Sequence, residues 1–392
     1  MANAVAFGES LRTCVACGAC EMQPLADLGL VPVLSGVTFE EREEALASPM
    51  APMELVYCPD CTHVYNIAFD ESLMDYTVEY DNSLHFSSTF QAYATDLAAR
   101  LAREYELDGR HVVELGCGKG HFLVELCRAA GCSGTGFDRT YAGDVEDPAV
   151  TFVRDYMSWD DPPAFDFFVC RHVIEHVTQP HEFLAGLRRA CGTRRIRGYI
   201  EVPDAIYDFE RSPWECIYPH VSYFSATSLA RVAIRAGFGL LRLVRSFEGQ
   251  YLALELGVNV LTPDQITFTG MGLHREREIL ITFHENFKGI VSGWQERIDN
   301  VGFEHTALWG AGAKGLSFLN AVDPDCRLAA VVDQNPLKRG RYLPITGHRI
   351  HTPSDLRGRD IRTVIITNPS YRHEIESSLR KLGLRSSVLS AH

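Results

Sequence analysis

Four cysteines, one glycine loop and a set of histidines have the types and spacing to do chemistry in this chain. Cys14 and Cys17 form one CxxC pair, and Cys58 and Cys61 form another. Each pair can close a tight turn, and two such knuckles can set four thiolates tetrahedrally around one Zn²⁺. Cys20 makes a further CxxC with Cys17, but two separate knuckles favour Cys14 as the ligand. Four thiolates leave no open coordination position, so the expected zinc is structural and fixes a lobe too small to build its own core. In Gly116-Cys117-Gly118-Lys119-Gly120 the glycines let the backbone approach a ligand closely. Asp138, about twenty residues further on, suits the two hydroxyls of a ribose. His172, Glu175 and His176 have the HxxEH spacing of an inverted zinc-protease motif. Pro180 closes that segment within a turn and no third ligand is in view, so packing in a loop is expected there, not metal binding.

These residues need elements to position them. His111–Leu115 reads as a short apolar strand before the glycine loop, and His121–Ala130 as a helix with Phe122, Leu123 and Leu126 on one side. Gly134–Phe137, Thr151–Asp155, Phe165–Cys170 and Gly198–Val202 read as further strands. Residues 203–229 are rich in aromatic and polar side chains, poor in periodicity, and follow a strand's carboxyl end, where ligands bind in open α/β sheets. Ala226–Gly237 reads as a helix with Ser225 or Thr227 as N-cap. Ile279, Phe283, Phe287, Ile290, Trp294 and Ile298 form one apolar stripe, which predicts a long packing helix between domains. Tyr93, Leu97 and Leu101 recur at helical spacing after a Tyr- and Ser-rich stretch.

A second α/β unit starts at Thr306. Thr306–Trp309 and Leu328–Asp333 read as strands around Gly310-Ala311-Gly312-Ala313-Lys314-Gly315, with Arg362–Thr367 as a strand and Tyr371–Leu382 as a helix. A helix N-terminus with Lys314 beside it is a ready anion site. The cluster Lys338, Arg339 and Arg341 can meet phosphates. Gly310, Gly312 and Gly315 also satisfy GxGxxG, so a second dinucleotide site and a purely structural Rossmann unit both stay open.

The chain has 392 residues, of which 46% are hydrophobic and 22% charged, as in an ordinary globular protein of two to three domains. A net charge of −14 argues against general nucleic-acid binding but leaves room for a local phosphate site. No apolar run approaches the roughly 18 residues of a membrane span. No basic start with an apolar run marks a signal peptide. A cytoplasmic location is therefore expected, where the twelve cysteines would not form a disulfide framework.

Glu114-Leu115-Gly116-Cys117-Gly118-Lys119-Gly120, in its strand–loop–helix context, resembles motif I of class I S-adenosylmethionine-dependent methyltransferases. The bare glycine pattern would also fit a dehydrogenase. The order of cysteine knuckles, methyltransferase core, His220-Val221-Ser222-Tyr223-Phe224-Ser225 and GxGxKG domain is similar, over essentially the whole chain, to the nucleotide-sugar C-methyltransferases of deoxysugar pathways. The resemblance implies an α/β protein with a zinc lobe (1–70), a class I methyltransferase Rossmann-like core (71–255) and a second Rossmann-like, substrate-binding domain (256–392). It implies S-adenosylmethionine held by Glu114, Gly116, Gly118, Gly120, Asp138, Asp155, Tyr156, His172 and Ser87. It further implies substrate contacts from Tyr80 and, through the nucleotide diphosphate, from Lys314, Asn335 and Arg341.

The implied reaction puts a methyl on carbon 3 of a nucleotide-linked 4-keto-6-deoxy sugar, in a pathway such as antibiotic biosynthesis. His220 falls on the family's base, and a neutral imidazole is suited to remove the proton beside a ketone near pH 7. Tyr218 or Tyr223 would donate to the enolate oxygen. Two departures stand out. The family's Tyr-His-Glu-His reads Ile217-Tyr218-Pro219-His220 here, and its Gly-Gly-Ser-Leu-Arg reads Glu248-Gly249-Gln250-Tyr251-Leu252. The alternatives are C- or O-methylation of another small metabolite, and a non-catalytic cofactor-binding protein. The expected partner is a small molecule, not nucleic acid or membrane, with the chain a monomer or homodimer.

Overall fold

The computed structural model describes residues 13–19, 21–74, 86–143, 145–260, 267–268 and 270–392. The first lobe contains β1 (Gln23–Pro32), α1 (Arg42–Leu46), β2 (Met50–Tyr57) and β3 (Val64–Asn66), with the strands antiparallel. The central unit runs α2 (Ser88–Glu104), β4 (His111–Leu115), α3 (His121–Ala130), β5 (Ser133–Phe137), β6 (Val150–Val153), β7 (Phe167–Arg171), α4 (Pro180–Cys191) and β8 (Ile196–Pro203). It continues through α5 (Ala205–Arg211), β9 (Ser222–Tyr223), α6 (Ala226–Arg235), β10 (Gly239–Ser246), β11 (Tyr251–Val258) and β12 (Thr267–Phe268).

The central sheet has the order β12-β10-β11-β8-β7-β4-β5-β6. Strands β8 to β6 are parallel, and β11 runs antiparallel between β8 and β10. Strand order reverses at β4, between β5 and β7, which makes a switch-point crevice at the carboxyl ends. All of β4 but His111 is buried, as a central strand requires. The helix expected at His121–Ala130 matches α3, which lays Phe122, Leu123, Leu126 and Cys127 against Val112 and Phe167. β11 runs past residue 255 to Val258, paired with Ile196, so the core sheet extends beyond the expected boundary until that ladder is complete.

The third unit contains α7 (Leu273–Val301), β13 (Thr306–Trp309), α8 (Ala313–Val322), β14 (Ala330–Val332), β15 (Ile350–His351), β16 (Thr363–Ile366), α9 (Arg372–Lys381) and β17 (Ser387–Ser390). Its parallel sheet has the order β15-β14-β13-β16-β17, again with a reversal beside the first strand. α7 carries the apolar stripe read from sequence. Ile279, Leu280 and Phe283 pack with Met53, Leu55, Ile206 and Phe209, while Trp294 and Ile298 pack with Trp214, Leu308 and Phe318. One helix thus binds all three units, and cutting Phe283 to Ala would cost roughly 3–5 kcal/mol.

The units are also joined at a sheet. β9 pairs antiparallel with β3, which gives the first lobe the order β1-β2-β3-β9. The aromatic segment after β8 is therefore fixed to the cysteine lobe immediately after His220. Among the described residues no helix is long and apolar enough to cross a membrane.

Candidate active site

The two switch points face each other across a cavity of about 530 Å³. One wall is Gly116–Lys119, Asp138, His172 and Glu175; the other is Gly310, Gly312–Gly315, Asp333 and Asn368. Gly116 takes φ +68°, and a Cβ there would lie 2.2 Å from Val173 Cγ2. In the second unit a Cβ on Gly315 would lie 2.0 Å from the Gly310 carbonyl oxygen, so only glycine lets α8 begin against its strand.

The two loops are built alike. Asp138 Oδ2 accepts from Gly118 N at 2.8 Å, and its Oδ1 accepts from Thr140 N at 2.7 Å. Asp333 Oδ2 accepts from Ala311 N at 2.8 Å, and its Oδ1 accepts from Asn335 N at 2.8 Å. Each aspartate thus braces its loop while keeping lone pairs for a ligand.

Glu114, next to last in β4, stands in the cavity wall. Burial and the neighbouring Asp138 push its carboxyl up to about 8, with Arg171 opposing. Its Oε2 is buried and finds no hydrogen-bond partner among the described residues. An orphaned carboxylate oxygen beside a glycine loop fits a ligand that brings an ammonium group, as S-adenosylmethionine does. Arg171 pairs with Glu201 at 2.9 Å, and Tyr199 donates to the same carboxylate at 2.6 Å. His172 has φ +54° and lies 3.2 Å from Glu201 and 3.6 Å from Glu175. Burial opposes its charge, but Glu175 and Glu201 outweigh burial and raise it to about 9.

The remaining residues expected at the cofactor divide between the cavity and the surface. Asp155 and Tyr156 follow β6 but do not line the cavity. β6 stops at Val153, and Tyr156 is 70% exposed with the Arg139 guanidinium 5.3 Å over its ring. Ser87 does line the cavity. It caps α2 and donates to Glu374 Oε2 of α9 at 2.7 Å, which ties the two walls together. Tyr80 lies outside the described residues, as do Tyr76, His85 and Cys20.

His220 lies in the cavity wall and is only 5% exposed. Burial, with His176, His172 and Lys314 nearby, holds its imidazole well below the usual histidine range, so it is neutral. Its Nδ1 has no hydrogen-bond partner among the described residues. His176 packs at 4.9 Å, ring to ring, and its Nδ1 is 2.8 Å from the Pro219 carbonyl. Glu175, His176 and His220 each present a ligand atom, all within 4.8 Å of one another. The third partner that HxxEH lacked in the sequence thus comes from the segment after β8.

Tyr218 and Tyr223 do not reach the cavity. The Tyr218 hydroxyl accepts from Asp70 N at 2.8 Å in a separate apolar cluster, and the Tyr223 hydroxyl donates to the Ile217 carbonyl at 3.2 Å. Pairing of β9 with β3 turns Tyr223 into the packing under α7. Among the described residues, the phenols that do line the cavity are Tyr251 and Tyr371. The Tyr371 hydroxyl is buried with no hydrogen-bond partner among the described residues. Neither tyrosine was singled out in the sequence, where Tyr251 stood only within the segment that departs from the family's pattern.

On the opposite wall Lys314 pairs with Glu215 at 3.0 Å, and that carboxylate leads the neighbours that keep it protonated against burial. Asn335 also lines the cavity, its Oδ1 accepting from Leu337 N at 2.9 Å. Arg341 does not: its guanidinium donates to Thr38 Oγ1 at 2.8 Å and Thr38 O at 2.7 Å, and pairs with Glu40 at 3.2 Å. Those partners belong to the first lobe, so Arg341 is a clasp between units. Lys338 of the same basic cluster takes the place in the cavity wall, 3.8 Å from Asp333.

Away from the cavity, Cys14, Cys17, Cys58 and Cys61 converge. Gly18 N donates to Cys14 O and Thr62 N to Cys58 O, which closes the two knuckles. Sγ atoms of Cys14 and Cys61 are 3.7 Å apart, and those of Cys17 and Cys58 are 3.6 Å apart. Zn–S bonds of about 2.3 Å in a tetrahedron need sulfurs about 3.8 Å apart, so the cluster fits that ion.

A family model described as a methyltransferase domain matches residues 86–243, and one described as a C-methyltransferase C-terminal domain matches residues 278–387. Among solved structures, an S-adenosylmethionine-dependent methyltransferase from Mesorhizobium loti is 14% identical, with a TM-score of 0.35, over 43% of this chain and 99% of that one. Magnesium protoporphyrin IX methyltransferase from Synechocystis PCC 6803 is 17% identical, with a TM-score of 0.36, over 44% of this chain and 84% of that one. A 1,6-didemethyltoxoflavin-N1-methyltransferase from Burkholderia thailandensis is 16% identical, with a TM-score of 0.33, over 44% and 82%. No curated protein matches the sequence.

Proposed function

Because the chain belongs to the S-adenosylmethionine-dependent C-methyltransferases, we propose that it methylates carbon 3 of a nucleotide-linked 4-keto-6-deoxy sugar, with His220 as the base. The observation that carries this reading is a neutral, buried imidazole in a cavity walled by two glycine loops of the same design. One loop, with Glu114 and Asp138, holds the cofactor's ammonium and ribose. The other, with Lys314, Lys338, Asp333 and Asn335, holds the sugar's nucleotide diphosphate. That leaves the sugar ring over His220.

His220 takes the proton from C3. The C–H pair forms the C3–C4 double bond, and the carbonyl pair moves to oxygen as an enolate. The Tyr371 hydroxyl, buried in the cavity wall without a partner among the described residues, would donate to that oxygen. S-adenosylmethionine, once bound, supplies the electrophilic methyl that C3 takes, with the carbon–sulfur pair left on sulfur. The four-cysteine cluster would hold a structural zinc, which keeps β3 in place to receive β9 and so fixes the backbone immediately after His220.

Proton exchange tests the base directly. With S-adenosylhomocysteine bound in D₂O, the enzyme should exchange the C3 proton of the accepted sugar. His220→Asn should lower that exchange by about 10²–10⁴-fold. Exchange unchanged in the variant removes His220 as the base.

A further inference from the structure

The base just described must become charged in a place that resists charge. Burial, His176, His172 and Lys314 all oppose a proton on His220. A compensating carboxylate is therefore needed, and most acids near the cavity are engaged. Glu215 pairs with Lys314 at 3.0 Å. Glu201 pairs with Arg171 at 2.9 Å and accepts from Tyr199 at 2.6 Å. Asp208 of α5 is raised well above the carboxylate range, first by burial and then by Glu215. Glu175 differs from these. It is 2% exposed, and neither carboxylate oxygen has a hydrogen-bond partner among the described residues. Its nearest ionic neighbour is His172 Nδ1, at 3.6 Å. Its backbone is pinned to the base's own segment, because Val221 N donates to Glu175 O at 2.9 Å.

We propose that Glu175 is the positioning residue for the base: its carboxylate, within 4.8 Å of ring nitrogens of both His220 and His176, supports the proton that His220 takes from the substrate carbon. This inference rests on the assignment of His220 above. The proton leaves C3, its bonding pair stays with the substrate as the enolate, and the proton is held on the imidazolium opposite the Glu175 carboxylate. It passes to solvent after methyl transfer, so the pair returns to a neutral imidazole and a carboxylate. The other titratable groups set against Glu175 are Cys170, His172 and His176 on its own segment, His220, and Asp208 of α5, while Lys314 acts on His220 from across the cavity. Lys314 already has Glu215 at 3.0 Å, while His172 is shared between Glu201 at 3.2 Å and Glu175 at 3.6 Å, so Glu175 is the carboxylate that faces both His172 and His220.

The test combines Glu175→Gln and Glu175→Asp in the full-length protein. Histidine ring resonances are followed against pH by NMR, and C3 exchange of the accepted sugar is followed in D₂O. In Glu175→Gln the His220 titration should fall by about one unit or more, since an opposite charge at such a distance is worth that much. Exchange should drop ~10-fold or more, with the alkaline-favoured limb of its pH profile moved to lower pH. Glu175→Asp should recover part of both effects. Melting temperature serves as the control for folding. An unmoved His220 titration together with wild-type exchange overturns the proposal. Metal analysis decides the rival use of the same three side chains: a metal equivalent beyond that of the cysteine cluster, lost in Glu175→Gln, makes them ligands and also overturns it. If the wild type exchanges no sugar proton, the sugar reading fails, while the histidine titration still judges Glu175.

Discussion

Replacing Asp138 by Asn separates the two look-alike loops. The substitution keeps the side chain's shape, and its remaining oxygen can still serve either Thr140 N or Gly118 N. It cannot serve both, because Asp138 accepts from Thr140 N at 2.7 Å with one oxygen and from Gly118 N at 2.8 Å with the other. One N–H of the cavity floor then faces an amide nitrogen that cannot accept. The ribose also loses a charged acceptor, and hydrogen bonds to charged groups contribute about 1.5–3 kcal/mol. The dissociation constant for S-adenosylhomocysteine should therefore rise about 10- to 150-fold, measured by titration calorimetry. Asp333→Asn disturbs the same design in the other wall, at Ala311 N and Asn335 N. It should leave that constant within about twofold while weakening the nucleotide diphosphate by a similar factor. Equal losses in both variants, or a change under threefold in Asp138→Asn, refute the assignment of one loop to each ligand.

Three further outcomes follow from the geometry. Cys61→Ser should remove one zinc equivalent per chain by metal analysis. It should also lower the melting temperature, since the cluster closes the knuckle that leads into β3. Tyr218→Phe should cost about 1 kcal/mol of stability in denaturant unfolding, because Asp70 N loses its acceptor, and it should leave turnover unchanged. His172 is raised in the folded state to about 9 by Glu175 and Glu201, in spite of burial, so its contribution is fully present below the unfolded histidine value and fades as pH rises through about 9. Melting temperature should fall across that window in the wild type and not in His172→Gln.

Much of the fold was legible because its signals are local. The strand at His111–Leu115 and the helix at His121–Ala130 have the expected bounds, and so does the strand at Thr306–Trp309. Glu114, Gly118 and Asp138 meet in the cavity because one strand–loop–helix–strand unit contains them all. The two CxxC pairs likewise announced a four-cysteine cluster, since each knuckle is a short-range turn.

Long-range pairing decided the rest. Nothing within residues 217–223 says that Ser222 and Tyr223 pair with Val64 and Tyr65, yet that ladder withdraws Tyr223 from the cavity. Arg341 reads as a phosphate ligand until Thr38 and Glu40, some three hundred residues earlier, are seen against it. Glu175 looked like part of an incomplete motif because its partner, His220, lies on the far side of β8.

The central claim is transfer of a methyl group to carbon 3, and locating the transferred methyl tests it most directly. S-adenosylmethionine with a ¹³C-methyl group is incubated with the protein and a panel of dTDP-, CDP- and GDP-linked 4-keto-6-deoxy sugars, and products are read by carbon NMR. A new methyl resonance is expected on carbon 3 of one sugar, absent with His220→Asn. Label on oxygen, or no label on any sugar while the cofactor still binds, would contradict it.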